Sequence, residues 1–201
     1  MIKCILFDLG GVIIDYTDDR YFYPYLARVS GVPVKKVWHT IQNRMEARLD
    51  TGQINLRDFN RAVANRLGIK PSQVKWYEMH RDNSRINRGT MGVVRRLHKR
   101  YSVSYLSNVD RSRYEWSTKL LRPYLKFFEH RFASCEIGMR KPSAAIYRYA
   151  LRHMGFGGRE VIFIDNLEEN VRGARRAGIK SVLFKSPRQL ERALKHIGVR
   201  L

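Results

Sequence analysis

Ile5-Leu6-Phe7-Asp8-Leu9-Gly10-Gly11-Val12 ends a short apolar run in a carboxylate and then turns on two glycines. An apolar run of that length reads as a buried strand, and glycine permits the tight turn that follows it. Asp8 is thereby expected just beyond the C-terminal edge of a sheet, where open α/β folds hold their ligands and where a carboxylate nucleophile would sit. Two residues on, Gly10 brings no side chain to the same edge.

Five β-like runs, this one included, fall at 3–7, 102–106, 131–134, 161–164 and 181–184, and helix-length segments separate the later ones. Residues 143–154 set Ile146, Tyr147, Ala150, Leu151 and Met154 on one apolar stripe, with Arg148 and Arg152 facing outward. Residues 167–177 repeat the pattern with Leu167, Val171, Ala174 and Ala177. Strands alternating with helices predict an α/β fold: a Rossmann-like parallel sheet with right-handed crossovers and helices on both faces. The segment 18–88 breaks the alternation and reads as helices throughout. Val34, Val37, Trp38, Ile41, Met45 and Leu49 form one stripe, and Leu56, Phe59, Val63 and Leu67 another. Asn55 and Asp58 resemble a capping box, and Gly52 and Gly68 mark breaks. The expected organisation is a core of 1–17 and 89–201 with an all-helical cap, 18–88, hung as a lid over the edge where Asp8 projects. The aromatic run Tyr21-Phe22-Tyr23-Pro24-Tyr25 is expected to form cap core.

The chain has 201 residues, 44% of them apolar, enough for a sizeable core. No run approaches the roughly 20 apolar residues of a membrane span, and no signal-peptide pattern opens the chain, so a cytoplasmic protein is expected. Cys4 and Cys135 lack metal-site spacing and are expected to be reduced and packed. None of the 6 histidines falls in a ligand motif, so no zinc site is expected. The net charge of +21 is uneven: residues 1–80 carry 12 basic and 8 acidic groups, and residues 81–201 carry 27 and 10. Such a field attracts polyanions. Clusters such as 95–100 and 172–176 offer themselves to the phosphates of nucleic acid, or read as solvated helix faces.

Four positions at or just beyond strand ends suit phosphoryl-transfer chemistry. Asp8 is the first. Ser107-Asn108 brings a hydroxyl and an amide able to hold phosphate oxygens. Lys141, in Gly138-Met139-Arg140-Lys141-Pro142, precedes a helix, so that a cation and helix N-terminal amides neutralise one anion. Asp165, in Ile162-Phe163-Ile164-Asp165-Asn166-Leu167, is a second carboxylate leaving a buried strand. With these four in order, nearly the whole chain resembles the haloacid dehalogenase superfamily, mostly magnesium-dependent phosphatases. FDLGGV is similar to its first motif, LSN to its second, the lysine of GMRKP to its third and FIDNLEENVRGARRAG to its fourth. The helical insertion resembles the cap of sugar-phosphate phosphatases and of the phosphatase domain of soluble epoxide hydrolase.

The resemblance implies that Asp8 attacks phosphorus of a small phosphorylated substrate to form an aspartyl-phosphate, which water hydrolyses. It implies Mg²⁺ held by Asp8, the Gly10 carbonyl and Asp165, with Ser107, Asn108 and Lys141 binding the substrate and stabilising the transferring group. Two departures stand out. Gly10 replaces the aspartate that serves the family as general acid and base, a role commonly worth about 10² to 10⁴ in rate. Slow turnover on alkyl phosphates and a gain on Gly10→Asp are therefore expected. Asn166 replaces an acidic residue and is expected to weaken Mg²⁺ binding. Asp15, Asp18 and Asp19 at the cap hinge, and His39 or Arg44 on the cap, are candidate substitutes for the missing group. Two other readings are carbon–halogen hydrolysis, which Asp165 disfavours, and a catalytically weakened member of the fold serving as a basic nucleic-acid-binding or assembly protein.

Overall fold

The structure, a computed structural model, describes residues 1–16, 22–42 and 44–201. Strands β1 (Cys4–Phe7), β4 (Ser102–Ser107), β5 (Arg131–Ala133), β6 (Val161–Asp165) and β7 (Lys180–Leu183) form one sheet in the order β5-β4-β1-β6-β7. Every pair in it is parallel. From the central β1 the chain adds β4 and then β5 on one side, and later β6 and then β7 on the other, so the order of addition reverses between β1 and β6. A crevice opens at such a switch point, outside the carboxyl ends of the strands.

Side chains alternate across the sheet as a pleated strand requires. Ile5, Phe7, Val103, Tyr105, Ile162 and Ile164 face one layer, with α6 (Arg88–Leu97), α7 (Arg111–Leu121) and α11 (Pro187–His196). Cys4, Leu6, Val161 and Phe163 face the other, with α9 (Ala144–Met154) and α10 (Glu168–Arg176). The short α8 (Ser134–Ile137) follows β5 directly. Both faces are covered, which is why these strands read as nearly continuous apolar runs. The helices are capped as their sequences dictate. The Asn87, Asp110, Ser143 and Ser186 side chains accept from backbone N–H groups at the starts of α6, α7, α9 and α11. Basic side chains such as Arg172, Arg175, Arg176, Arg188 and Arg192 are exposed on α10 and α11.

The insertion leaves and rejoins the core through an antiparallel ribbon of β2 (Ile14–Tyr16) and β3 (Ser84–Ile86). Between them lie α1 (Phe22–Ser30), α2 (Val34–Gln42), α3 (Met45–Asp50), α4 (Leu56–Leu67) and α5 (Trp76–Asp82). These helices build a core of their own around Phe22, Leu26, Val37, Ile41, Phe59, Val63 and Trp76. Three details differ from expectation. Residues 84–86, expected to be helical, pair as β3. The single stripe 34–49 is two helices, α2 and α3, and Val34 and Trp38 are 45% and 43% exposed instead of packed. At Asn55 only one half of the expected box is seen, the side chain accepting from the Asp58 N–H at 2.9 Å. Tyr21, Asp18 and Asp19 lie outside the described residues, whereas Phe22 and, partly, Tyr23 and Tyr25 pack into the core of the insertion.

Cys4 is buried, Cys135 is half-buried and both are unpaired, with burial pushing each thiol up to about 11. Among the described residues no helix is long and apolar enough to cross a membrane.

One close approach fixes the loop before α9. A Cβ placed on Gly173, in α10, would stand 2.5 Å from the Pro142 carbonyl oxygen, so α10 seats directly on the 141–142 turn only because position 173 has no side chain. Gly173→Val is predicted to overpack this contact and cost roughly 1–3 kcal/mol in urea-induced unfolding. An unchanged midpoint would show that the turn is free to move.

Candidate active site

Strand register brings the two key carboxylates together. Phe7 pairs with Ile164, and the Asp8 N–H donates to the Ile164 carbonyl at 2.8 Å, so Asp8 and Asp165 leave adjacent strands side by side. Ser107 ends β4 on the other flank of β1, buried but facing the same cavity. Lys141 closes the cluster from the loop before α9. Its Nζ lies 2.8 Å from Asp8 Oδ1 and 2.7 Å from Asp165 Oδ2, and the side chain is buried over the Phe163 ring.

Each charged group here is held by its neighbours. Asp8 Oδ1 accepts from the Leu9 N–H at 2.7 Å. Asp165 Oδ1 accepts from the Leu167 N–H at 2.8 Å, and Oδ2 from Asn170 Nδ2 at 3.0 Å. Burial pushes the Asp8 carboxyl well above the usual carboxylate range, against the pull of the Lys141 ammonium. Burial alone would lower Lys141, but the carboxylates of Asp165 and Asp8 outweigh it and raise its pKa, so the ammonium stays charged. The Lys141 backbone is clamped as well: its N–H donates to Asn108 Oδ1 at 2.8 Å, and Asn108 Nδ2 donates to its carbonyl at 2.9 Å. The Asn108 side chain is thus committed to positioning the lysine.

These groups floor a cavity of about 270 Å³. Gly10 and Gly11 line it, and they are glycines for different reasons. Gly11 has φ +75° and the Asn166 side-chain amide against it, so that an added Cβ would fall 2.3 Å from Asn166 Nδ2. Gly10 has no such backbone requirement. A Cβ there would instead meet the Tyr16 ring at 3.2 Å and its hydroxyl at 3.4 Å. A side chain introduced by Gly10→Asp therefore needs the Tyr16 ring to give by a few tenths of an ångström.

The roof comes from the insertion: Tyr23, Gln42, Glu46, Asp50, Trp76 and His80. Buried charges join it to the core. Arg113, on α7, contacts Asp50 Oδ1 at 2.7 Å and also pairs with the α7 cap Asp110, while Arg140 Nη2 lies 3.4 Å from Asp50 Oδ2. Trp76 Nε1 donates to Asp110 Oδ2 at 3.2 Å, with the Arg113 guanidinium 4.9 Å from its ring centroid. Burial works against the Arg113 charge, but Asp110 and Asp50 together raise its pKa and keep it a cation. His80 Nδ1 is 2.7 Å from the Trp76 carbonyl oxygen, which can only accept, so Nδ1 carries the hydrogen and Nε2 of the neutral ring is bare. Burial, helped by the Arg113 charge, pushes His80 down to about 4.

Asp8, Gly10, Ser107, Asn108 and Lys141 all line the cavity. Asp165 lies just beneath them in contact with Lys141. The candidate substitutes that lie among the described residues do not. Asp15 accepts from Asn87 Nδ2 at 3.0 Å across the ribbon, and neither His39 nor Arg44 is among the lining residues. Sequence reasoning missed Tyr16, His80, Asp50, Arg113 and Asn170. Among these, only Asn170 belongs to a quoted motif, and its Oδ1 is buried with no hydrogen-bond partner.

Residues 2–178 match the family model of the haloacid dehalogenase-like hydrolases, and the chain belongs to that family. Over 190 residues it is 20% identical to D-ribitol-5-phosphate phosphatase of Bacteroides thetaiotaomicron, covering 90% of this chain and 91% of that protein. It is 23% identical to drimenol cyclase DrtB of Aspergillus calidoustus over 202 residues, 98% of this chain, yet it spans only 37% of the length of that relative. In fold it is similar to a haloacid dehalogenase family enzyme of Bacteroides thetaiotaomicron solved in complex with magnesium and inorganic phosphate. The TM-score is 0.75 at 24% identity, covering 92% of this chain and 96% of the other.

His80 makes stability depend on pH. Its folded pKa of about 4 lies below the ordinary 6.5, so the unfolded chain binds the extra proton first. Its contribution is complete above about pH 6.5 and is lost as pH falls toward 4. Thermal midpoints measured from pH 7 to 4 are predicted to decline less steeply in His80→Gln than in the unaltered protein; equal slopes would contradict the assignment.

Proposed function

We propose that the chain is a magnesium-dependent phosphohydrolase acting on a small phosphorylated metabolite in the cytoplasm through an aspartyl-phosphate intermediate. The observation that carries this reading is the contact of Lys141 with both Asp8 and Asp165 at the carboxyl ends of adjacent strands, with Ser107 on the same floor. The phosphatase among the relatives and the magnesium and phosphate bound by the structural neighbour support it.

The residues fit the metal. Asp8, Asp165 and the Gly10 carbonyl supply only hard oxygen donors, which suits Mg²⁺, an ion that keeps several waters and takes few protein ligands. Among the described residues no group of three or more His, Cys, Asp or Glu side chains forms a fuller cage. Asn170 Oδ1, buried beside Asp165 without a partner, is an acceptor that a metal-bound water would satisfy. When bound, the ion neutralises phosphoryl oxygens and the Asp8 charge that would otherwise repel them.

Asp8 is the nucleophile, held by the Leu9 N–H so that its carboxylate faces the cavity. Lys141 and Ser107 stabilise the oxygens of the group being transferred, as a fixed charge and a fixed donor aimed at the place where charge develops. The helical insertion serves as the cap, roofing the cavity and, at about 270 Å³, limiting the substrate to a small molecule. The exposed basic residues of α10 and α11 are not among the lining side chains; Arg113, Arg140 and Lys141 are the cations that meet the substrate. Asn166 in place of a carboxylate lowers the negative charge near the ion and with it the affinity for Mg²⁺.

Asp8→Asn tests the assignment. Phosphate release from p-nitrophenyl phosphate with Mg²⁺ is predicted to fall to background while the thermal midpoint stays near that of the unaltered protein. Retained turnover in Asp8→Asn would reject the mechanism.

A further inference from the structure

We propose that Arg140 is a specificity-determining residue that binds a second anionic group, a carboxylate or another phosphate, on the end of the substrate remote from the transferred phosphoryl group. The inference rests on the phosphohydrolase reading above and narrows its substrate class.

How far each cation of the cavity is already engaged is the first argument. Three line it. Lys141 lies between Asp8 and Asp165, its side chain 1% exposed. Arg113 lies between Asp110 and Asp50 with its guanidinium over the Trp76 ring, its side chain 10% exposed. Arg140 is 30% exposed and meets a single carboxylate oxygen, Asp50 Oδ2, through Nη2 at 3.4 Å, beyond the usual range of an N–H···O bond. The other oxygen of Asp50 is held by Arg113 at 2.7 Å. Arg140 Nε is buried without an acceptor, and no described residue accepts a hydrogen bond from the rest of the guanidinium. A buried N–H left unpaired is costly. The guanidinium therefore has capacity for an acceptor that the protein does not supply, and its planar fork of donors matches a carboxylate or a phosphate.

Position is the second. Arg140 directly precedes Lys141, so its backbone is anchored at the floor, while its guanidinium reaches Asp50 at the end of α3 in the roof. It thus forms part of the wall between the two. A phosphate ester seated with its phosphorus beside Asp8 and Lys141 extends toward that roof, and a cavity of about 270 Å³ leaves room for only a short carbon chain along the wall.

The remaining carboxylates of the cavity set the range of the effect. Glu46 and Glu169 also line it, neither in an ion pair with a described residue, and each repels an anion placed beside it. A second anionic group is therefore recognised by direct contact with Arg140 and not by a general attraction of the cavity. At longer range the balance is reversed: the net charge of +21 draws a ligand in faster the more negative charge it carries.

The test compares matched esters with Mg²⁺. Glycerol 3-phosphate and 3-phosphoglycerate share a carbon chain and differ at the remote end, a hydroxymethyl group against a carboxylate. Propane-1,3-diol monophosphate and bisphosphate differ there by a phosphate. The ratio of kcat/KM within each pair is measured in the unaltered protein, Arg140→Gln and Glu46→Gln, so that a general loss of activity cancels. The unaltered protein is expected to prefer the anionic member of at least one pair by about 10-fold or more, and the pair that shows it separates carboxylate from phosphate. Arg140→Gln is expected to bring that ratio near unity, and Glu46→Gln to leave the preference in place. No preference in the unaltered protein, or a preference that survives Arg140→Gln because every ester loses equally, as a structural role alone would give, overturns the proposal. So does a preference abolished by Glu46→Gln instead. If the unaltered protein cleaves neither these esters nor p-nitrophenyl phosphate, the phosphohydrolase reading itself fails and the role of Arg140 falls with it. Turnover of p-nitrophenyl phosphate without discrimination within either pair removes only Arg140.

Discussion

The site depends on a buried ammonium set between two buried carboxylates. Lys141 Nζ contacts Asp8 and Asp165 at 2.8 and 2.7 Å in a place where none of the three side chains has appreciable access to water. Removing charges from water is costly, and mutual attraction offsets that cost only when geometry is good and the remaining polar atoms are satisfied. Both conditions are met here. The Leu9 and Leu167 amides and Asn170 serve the carboxylates, and Asn108 holds the lysine backbone from both sides. Gly173 admits the 141–142 turn against α10.

A second buried ionic cluster completes the enclosure. Arg113 links Asp110, which caps a core helix, to Asp50, which ends α3 in the insertion. The same guanidinium lies over Trp76. The roof of the cavity is therefore tied to the floor by charge as well as by apolar contact. The two clusters lie at different levels: Lys141 joins the two carboxylates of the floor, and Arg113 ties the insertion to the core above them.

The sheet was legible in the sequence because its three central strands, β1, β4 and β6, are largely apolar runs that end at or just before a polar residue, as parallel strands covered on both faces do. Asp8, Ser107 and Asp165 were found at strand ends for that reason. Lys141 was found because it precedes a capped helix. What was illegible depends on contacts distant in sequence. Nothing local distinguishes an Asn108 that binds substrate from one that clamps Lys141. The ribbon pairing 14–16 with 84–86 joins short segments that lie nearly seventy positions apart, and the strand at 84–86 is too short to show a period. Trp38 continues the helical stripe yet faces solvent, since α2 and α3 are separate helices. Tyr16 drew no notice, because its approach to Gly10 depends on the ribbon that carries it and not on any local pattern.

A double-mutant cycle between Lys141 and Asp165, read by urea-induced unfolding, tests the central claim most directly. Lys141→Met leaves two carboxylates facing each other without a cation, and the predicted loss is about 3–5 kcal/mol. Adding Asp165→Asn removes one of those charges, so the double variant should be more stable than the two single losses imply, with a coupling of about 1–3 kcal/mol. Additivity to within about 0.5 kcal/mol would mean that the ammonium does not hold the two carboxylates together, and the site as described would not stand.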